Sequence, residues 1–261
     1  MKTIHATAII NPNATMGKDI SIGPYCIVGQ DVHLGDGVRL HSHVVIDGRT
    51  TIGTETEIYP FSSIGLPPQD LKYKGEESEL IIGARNTIRE YVTMNPGTAD
   101  GGMRTIIGDD CLFMASTHVA HDCIVGNHVI MANNATIAGH VEVGDFAIIG
   151  GLSAVHQFVK IGKHAIIGGM SGVENNVIPY GSVVGDRARL SGLNIVGLRR
   201  RAFLKEDIKN LRTAYRMLFA EEGTLAERTE DVAKMFVNNL AVMDIIDFMR
   251  AESSRALTQP R

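Results

Sequence analysis

The sequence predicts a mainly β chain: a parallel β-helix of hexapeptide repeats followed by a small C-terminal α-helical domain. Three observations carry this. Every sixth residue from Ile4 is apolar: Ile4, Ile10, Met16, Ile22, Val28, Leu34, Leu40, Ile46, Ile52, Ile58 and Ile64. The same frame returns at Ile82, Ile88 and Met94 and runs again from Ile107 to Val173. Beyond Leu198 the apolar spacing becomes helical, with Leu204, Ile208, Leu211, Tyr215 and Leu218 on one stripe.

A period of six fits neither a helix of about 3.6 residues per turn nor a plain strand of period two. It fits short strands on the three faces of a triangular prism. Each face takes one hexad, so about 18 residues make a coil, and coils stack about 4.8 Å apart. The apolar residue of each hexad points inward. Four positions later the residue is small or β-branched: Ala8, Ala14, Cys26, Val32, Val38 and Val44, later Cys111, Thr117, Cys123, Val129 and Ala135. All three cysteines share this phase, their number is odd and no CxxC occurs. They read as packed thiols, not as a disulfide framework or zinc ribbon. Gly17, Gly23, Gly29, Gly35, Gly53 and Gly65 follow the apolar residue and are expected to form the bend there.

Two stretches leave the frame. Residues 66–80, LPPQDLKYKGEESEL, hold two prolines and many charges, and residues 96–105 are Gly-rich. Loops ejected from a rigid scaffold are favoured places for function. The β-helix is assigned to 1–187, with ejected loops at 66–80 and 96–105, and the helical domain to 188–261. In that domain a second helix is expected from Thr224 and a third over 241–251. Arg199, Arg200, Arg201, Lys205, Lys209, Arg212 and Arg216 lie beside the first stripe. They read either as an ordinary solvated face or as a docking surface for an acidic partner.

The net charge of −4 gives no electrostatic case for nucleic acid. The first residues lack the apolar run of a signal peptide or membrane helix, so a cytoplasmic location without stable membrane insertion is expected.

Four histidines stand out: His118, His121, His140 and His156. With 18 residues per coil, His121 lies one coil below position 139, beside His140, and His156 lies two residues from the position one coil above His140. The three are expected along nearly one edge of the prism, with His118 close by. Such a ladder suits acid–base work near neutral pH. A metal site and a purely structural stack are the competing readings, and a close pair three residues apart departs from the usual ligand spacing of a β-helical metal site. His128 and His164 fall at variable hexad positions and read as surface.

Several stretches are more specific than the repeat: Gln69-Asp70-Leu71-Lys72-Tyr73, His118-Val119-Ala120-His121-Asp122-Cys123, Asn133-Asn134-Ala135-Thr136, Ala138-Gly139-His140-Val141, Val155-His156-Gln157-Phe158, and Asn194-Ile195 with Gly197-Leu198-Arg199-Arg200-Arg201. In order and spacing the chain resembles the UDP-N-acetylglucosamine O-acyltransferases, which open bacterial lipid A synthesis. The resemblance implies a left-handed β-helix and a homotrimer with sites between neighbours. It implies transfer of an (R)-3-hydroxyacyl group from the phosphopantetheine of acyl carrier protein to the 3-hydroxyl of UDP-N-acetylglucosamine. No cofactor and no metal is expected on the protein.

By the same resemblance His121 is the general base, Asp122 orients it, and the backbone N–H of Gly139 stabilises the oxyanion. Asp70 and Lys72 match residues holding the sugar and its phosphates, and His118 an electrostatic or sugar-binding position. His140 and Gln157 match acyl-chain and sugar contacts, and His156 a substrate contact. Asn194, Arg200 and Arg201 match the uridine-diphosphate end. Gly169 matches the acyl-chain ruler, where Gly admits a long chain. Two departures bear on the acceptor: Val196 stands where many members carry Glu, and Asn95-Pro96 where many carry His-Arg. The alternatives are the sister UDP-sugar N-acyltransferase, acylation of a diamino UDP-sugar analogue, a coenzyme A acetyltransferase, or a structural β-helix without catalysis.

Overall fold

Inward apolar residues at every sixth position close the chain into a three-faced prism. The computed structural model describes residues 2–260. Short strands, most of two residues, alternate among three sheets, parallel save for one last pair, which among the described residues hold 11, 9 and 8 strands. The first sheet begins with Thr3–Ile4, the second with Ile9–Ile10 and the third with Thr15–Met16. Each strand pairs in register with the strand one coil on: Thr3 with Ser21, Ile9 with Ile27, Thr15 with His33. The frame residues from Ile22 to Ile64 and from Ile107 to Val173 are all buried, as are Cys26, Cys111 and Cys123. Burial raises the Cys111 thiol to about 11 and the Cys123 thiol to about 12, which suits inert packing. In the first described coil Ile4 and Ile9 are exposed.

The corners turn differently from expectation. The bend is made three residues after the apolar residue, in the left-handed region, by side-chain-bearing residues such as Tyr25, His43, Phe61, Asp122, His140 and Phe158. Such a conformation costs on the order of 1 kcal/mol per residue, a cost met by stacking the turn on its neighbours. The glycine after the apolar residue serves close approach instead. A Cβ on Gly53 would lie 2.4 Å from Gly83 C, and one on Gly23 2.8 Å from His41 C.

Both ejected loops leave at the corner between the second and third sheets. There Ser63 pairs with Thr93 and Thr93 with His118, intervals longer than one coil. The loops are shorter than the sequence suggested. The chain rejoins the coil at Glu79–Ile82, with Leu80 fully buried, and at Arg104–Ile107, with Thr105 fully buried. Alternation inside a four-residue strand places Leu80 and Thr105 inward two residues before Ile82 and Ile107, the same phase that Cys26 and Cys111 occupy.

After the last coil, Gly181–Val184 joins the first sheet and pairs antiparallel with Arg189–Leu193. Four helices follow: α1 (Ile195–Arg200), α2 (Lys205–Leu218), α3 (Leu225–Met235) and α4 (Leu240–Arg250). Of the expected stripe, Ile208, Leu211 and Leu218 are buried in α2, joined by Ala214, while Tyr215 is half-buried and Leu204 is exposed; Thr224 with Glu227 caps α3 in a reciprocal capping box. α1 is an addition to the sequence reading. The tail returns to the prism, where Leu257 bridges Asn176.

Candidate active site

The corner between the second and third sheets gathers most of the expected residues. His121 lies beside Asp122 at the turn, His140 at the turn one coil above. The rings of His121 and His140 are 5.1 Å apart and perpendicular. His121 Nδ1 donates to Asp122 Oδ2 at 2.8 Å, and His121 Nε2 lies 3.8 Å from Asp70 Oδ2 of the first loop. Asp70, read from sequence only as a sugar residue, thus faces the imidazole within one chain. Lys72 Nζ reaches Asp100 of the second loop at 3.4 Å and remains exposed. His118 stands on the outer face of the second sheet, its Nδ1 2.7 Å from Thr93 Oγ1.

Burial, reinforced by the His121 ring, lowers the His118 pKa. Burial also lowers that of His140, against the pull of Asp122. Both favour the neutral ring.

Gly139 fits against the base. A Cβ there would lie 2.5 Å from His121 Cε1 and 2.7 Å from Nε2. The amides of Ala138 and His140 donate to Val155 O and His121 O, whereas the Gly139 N–H has no acceptor among the described residues.

A residue missed from sequence completes this corner. Thr98, in the second loop, donates its N–H to both Asp122 oxygens at 3.0 and 3.1 Å and its Oγ1–H to Oδ2 at 2.6 Å. The run Gly97-Thr98-Ala99-Asp100-Gly101-Gly102 offered a signal, because glycines in an ejected loop mark close backbone approach.

The histidine ladder does not extend as expected. The ring stacked on His140 is Phe158, 4.5 Å away at 11°. His156, two residues short of that position, instead takes Arg255 Nη2 on its Nδ1 at 2.7 Å, and Arg255 Nε donates to Gln157 O at 3.0 Å. His164 is not surface. It is buried at the corner between the third and first sheets, stacked between Phe146 and Tyr180.

That second corner also holds the residues expected at the nucleotide. Arg201 Nη2 donates to Phe146 O at 3.0 Å, with its guanidinium over the Phe146 ring, while Arg200 is exposed. Asn194 accepts from Gly197 N–H as the cap of α1 and donates to His164 O. Its side-chain amide is therefore committed to the fold, a role the sequence reading did not assign. Val196, beside it, is exposed, and Asn95 donates to Leu66 O, holding the exit of the first loop. Gly169 lies at the third corner, between the first and second sheets. The left-handed turn there belongs to Met170, and a Cβ on Gly169 would meet only the Gly151 backbone, its O at 3.3 Å and its N at 4.0 Å. Gly169 is therefore not demanded by the bend.

His121, Asp122 and His140 have donor atoms within 4.8 Å of one another, close enough for a metal ion. Thr98 and His121 already occupy the Asp122 carboxylate, an arrangement suited to orienting an imidazole.

A hexapeptide β-helix carrying a carboxylate-held histidine at one corner defines a transferase of the bacterial hexapeptide class. The model of six such repeats matches residues 104–139. The model described as UDP N-acetylglucosamine O-acyltransferase, domain 2, matches residues 176–258. The acyl-[acyl-carrier-protein]–UDP-N-acetylglucosamine O-acyltransferase of Caulobacter vibrioides is 56% identical over 258 residues, 99% of this chain and 98% of the relative. The Rickettsia canadensis enzyme of that name is 57% identical over 253 residues, 97% and 96% of the two chains. The crystal structure of the UDP-N-acetylglucosamine O-acyltransferase of Moraxella catarrhalis superposes with a TM-score of 0.95 at 41% identity, covering 98% of this chain and 99% of its own. This chain belongs to the UDP-N-acetylglucosamine O-acyltransferase family. Its fold is the left-handed parallel β-helix with a small C-terminal helical part.

Proposed function

We propose that this acyltransferase moves an (R)-3-hydroxyacyl group from acyl carrier protein to the 3-hydroxyl of UDP-N-acetylglucosamine, the opening step of lipid A synthesis, with His121 as general base. The observation that carries the reading is the clamp on His121. Its Nδ1 is bound by Asp122, so Nε2 is left as the acceptor, facing Asp70 and the cleft. Nε2 takes the proton of the sugar hydroxyl as that oxygen attacks the thioester carbonyl. The Gly139 N–H meets the oxyanion. Collapse breaks the C–S bond, and the proton passes from His121 to the departing phosphopantetheine sulfur. No acyl-enzyme and no cofactor enters these steps, and the buried cysteines are out of reach.

Asp70 and Lys72 hold the sugar end at the same corner. The acyl chain lies on the outer face of the second sheet, whose outward residues shrink along the axis from His118 through Thr136 and Ala154 to Gly172. This taper of three coils, about 14 Å, leads toward Gly169 and supports its role as the chain ruler. His140, His156 and Gln157 border that path.

Arg200 and Arg201 sit across the third sheet from His121. The reading therefore takes the nucleotide end from a neighbouring copy, in a homotrimer. The exposed bases Lys205, Lys209 and Arg212 on α2 receive the acidic carrier. No described helix is long and apolar enough to cross a membrane. A cytoplasmic location is part of the proposal.

His121→Ala tests the base. Turnover should fall by roughly three orders of magnitude or more, with the oligomer and Tm nearly unchanged. A variant retaining a tenth of the activity would place the base elsewhere.

A further inference from the structure

The second ejected loop is built around one carboxylate. Thr98 closes the loop on itself, accepting on its carbonyl oxygen from the N–H groups of Gly101 and Met103. Gly97 is forced by the same closure, because a Cβ there would lie 2.1 Å from Arg104 N. A Cβ on Gly101 would lie 2.0 Å from Asp122 Cγ, so this glycine lets the loop backbone lie directly on the Asp122 carboxyl group. From beneath, Thr105 Oγ1 accepts from the Asp122 N–H at 2.8 Å and fixes the turn that carries the side chain.

The Asp122 side chain is 2% exposed. A carboxylate so enclosed needs donors for its lone pairs, and an unsatisfied one is costly. Thr98 supplies its N–H to both oxygens and its hydroxyl to Oδ2, and His121 Nδ1 supplies the remaining bond at Oδ2. The Thr98 hydroxyl and the imidazole thus share one oxygen, and the hydroxyl fixes where that oxygen sits relative to the ring. Asp122 itself turns in the left-handed region, so its own backbone preference does not hold the side chain in place.

We infer that Thr98 is the positioning residue of the reaction: it holds the Asp122 carboxylate, and through it the tautomer and angle of His121, so that Nε2 points at the acceptor hydroxyl. This rests on His121 being the base. Thr98 touches no reacting atom. The loop of residues 96–103 serves as a brace for the base, whereas the first loop, with Asp70 and Lys72, faces the substrate.

The test compares Thr98→Val, which keeps the N–H and the shape but loses the hydroxyl, with Thr98→Ser, which restores it. Each is measured in the full chain for kcat, KM for the nucleotide sugar, and Tm. A hydrogen bond to a charged group is worth a factor of about ten to a hundred, so kcat for Thr98→Val should fall by that amount, with KM within about twofold. Thr98→Ser should recover most of the loss. In Asp122→Asn chains the same Thr98→Val change should cost little further, because the two act through one carboxylate. The one-dimensional proton spectrum should show the His121 Nδ1–H resonance displaced in Thr98→Val. Where Thr98→Val does not fold, Thr98→Ala carries the same comparison. Full kcat in the Val or Ala variant would overturn the inference. So would an equal loss in Thr98→Ser, a loss that follows Tm, or losses that add to that of Asp122→Asn. Failure of the base assignment is a separate result, an active His121→Ala.

Discussion

At the scale of single residues, the corner around His121 is shaped by exclusion as much as by contact. Gly139 sits where any side chain would strike the His121 ring, because a Cβ would come within 2.5 Å of Cε1. Gly139→Ala should therefore push the imidazole off its line and lower kcat by roughly a hundredfold, while Tm, set by the coils beneath, hardly moves. Steady-state kinetics beside a thermal melt checks this, and an unimpaired variant would show that the ring has room to yield. The period of six brought His121 and His140 to one corner, and the family resemblance added Asp122. The sequence did not show that Asp122 has a second holder in Thr98, since Thr98 lies in an ejected loop outside the frame. Nor did it show that the Asn194 amide is spent on capping α1, because a side chain that could bind a nucleotide and one that caps a helix are the same letter.

Among the elements, the helices meet the prism at an aromatic corner, while the tail beyond them bonds back to Asn176 and His156. His164 lies between Phe146 and Tyr180 and meets Phe203 edge-on, while Lys163 and the Tyr180 hydroxyl both bind Asp244 of α4. Burial, with Arg201 and Lys163 nearby and only partial help from Asp244 and Asp145, lowers the His164 pKa from 6.5 to about 4. The folded protein thus keeps this ring neutral, whereas the unfolded chain takes up a proton below pH 6.5. Stability from this group is complete above that pH and drains away as the pH falls toward 4, by up to roughly 3 kcal/mol. His164→Phe, which preserves the stack, should flatten the dependence of Tm on pH in that window. An unchanged slope would assign the acid sensitivity to other groups, such as His118 and His140. The sequence showed His164 only as a variable position of a hexad. Its burial depends on Phe203 and α1 folding back over the corner, a long-range contact invisible to a local frame.

For the whole molecule, the proposal divides the labour among three corners: His121 with Asp70 at one, Arg201 with the neighbouring Arg200 at another, Gly169 at the third. Asp70 and His121 belong together in a single chain, so mixing His121→Ala chains with Asp70→Ala chains should restore nothing. Mixing His121→Ala chains with chains carrying Arg200→Ala and Arg201→Ala should rebuild sites from an intact corner on each of two neighbours. In equal proportions about a quarter of the sites become whole. The measurement is activity after unfolding and reassembling the mixtures. Inactive hybrids of the second pair would place the nucleotide within one chain. The prism itself was plain in the sequence, down to the coil length, because two-residue strands leave the frame little freedom. Its hand was not, since a period of six winds equally well in either sense and only the family resolves it.

The stacking of coils has a consequence for where disorder can reach. Each coil bonds only to the coil before and the coil after, so the molecule behaves as a one-dimensional chain of coupled units. In such a chain fluctuations enter at a free end and die away with every unit crossed. Ile4 and Ile9 of the first described coil are exposed, while the far end is closed by the antiparallel pair and the helices. His121 lies several units from both. In the proposed mechanism, the corner that must keep its atoms still lies inside the column, with coils on both sides to damp what reaches it.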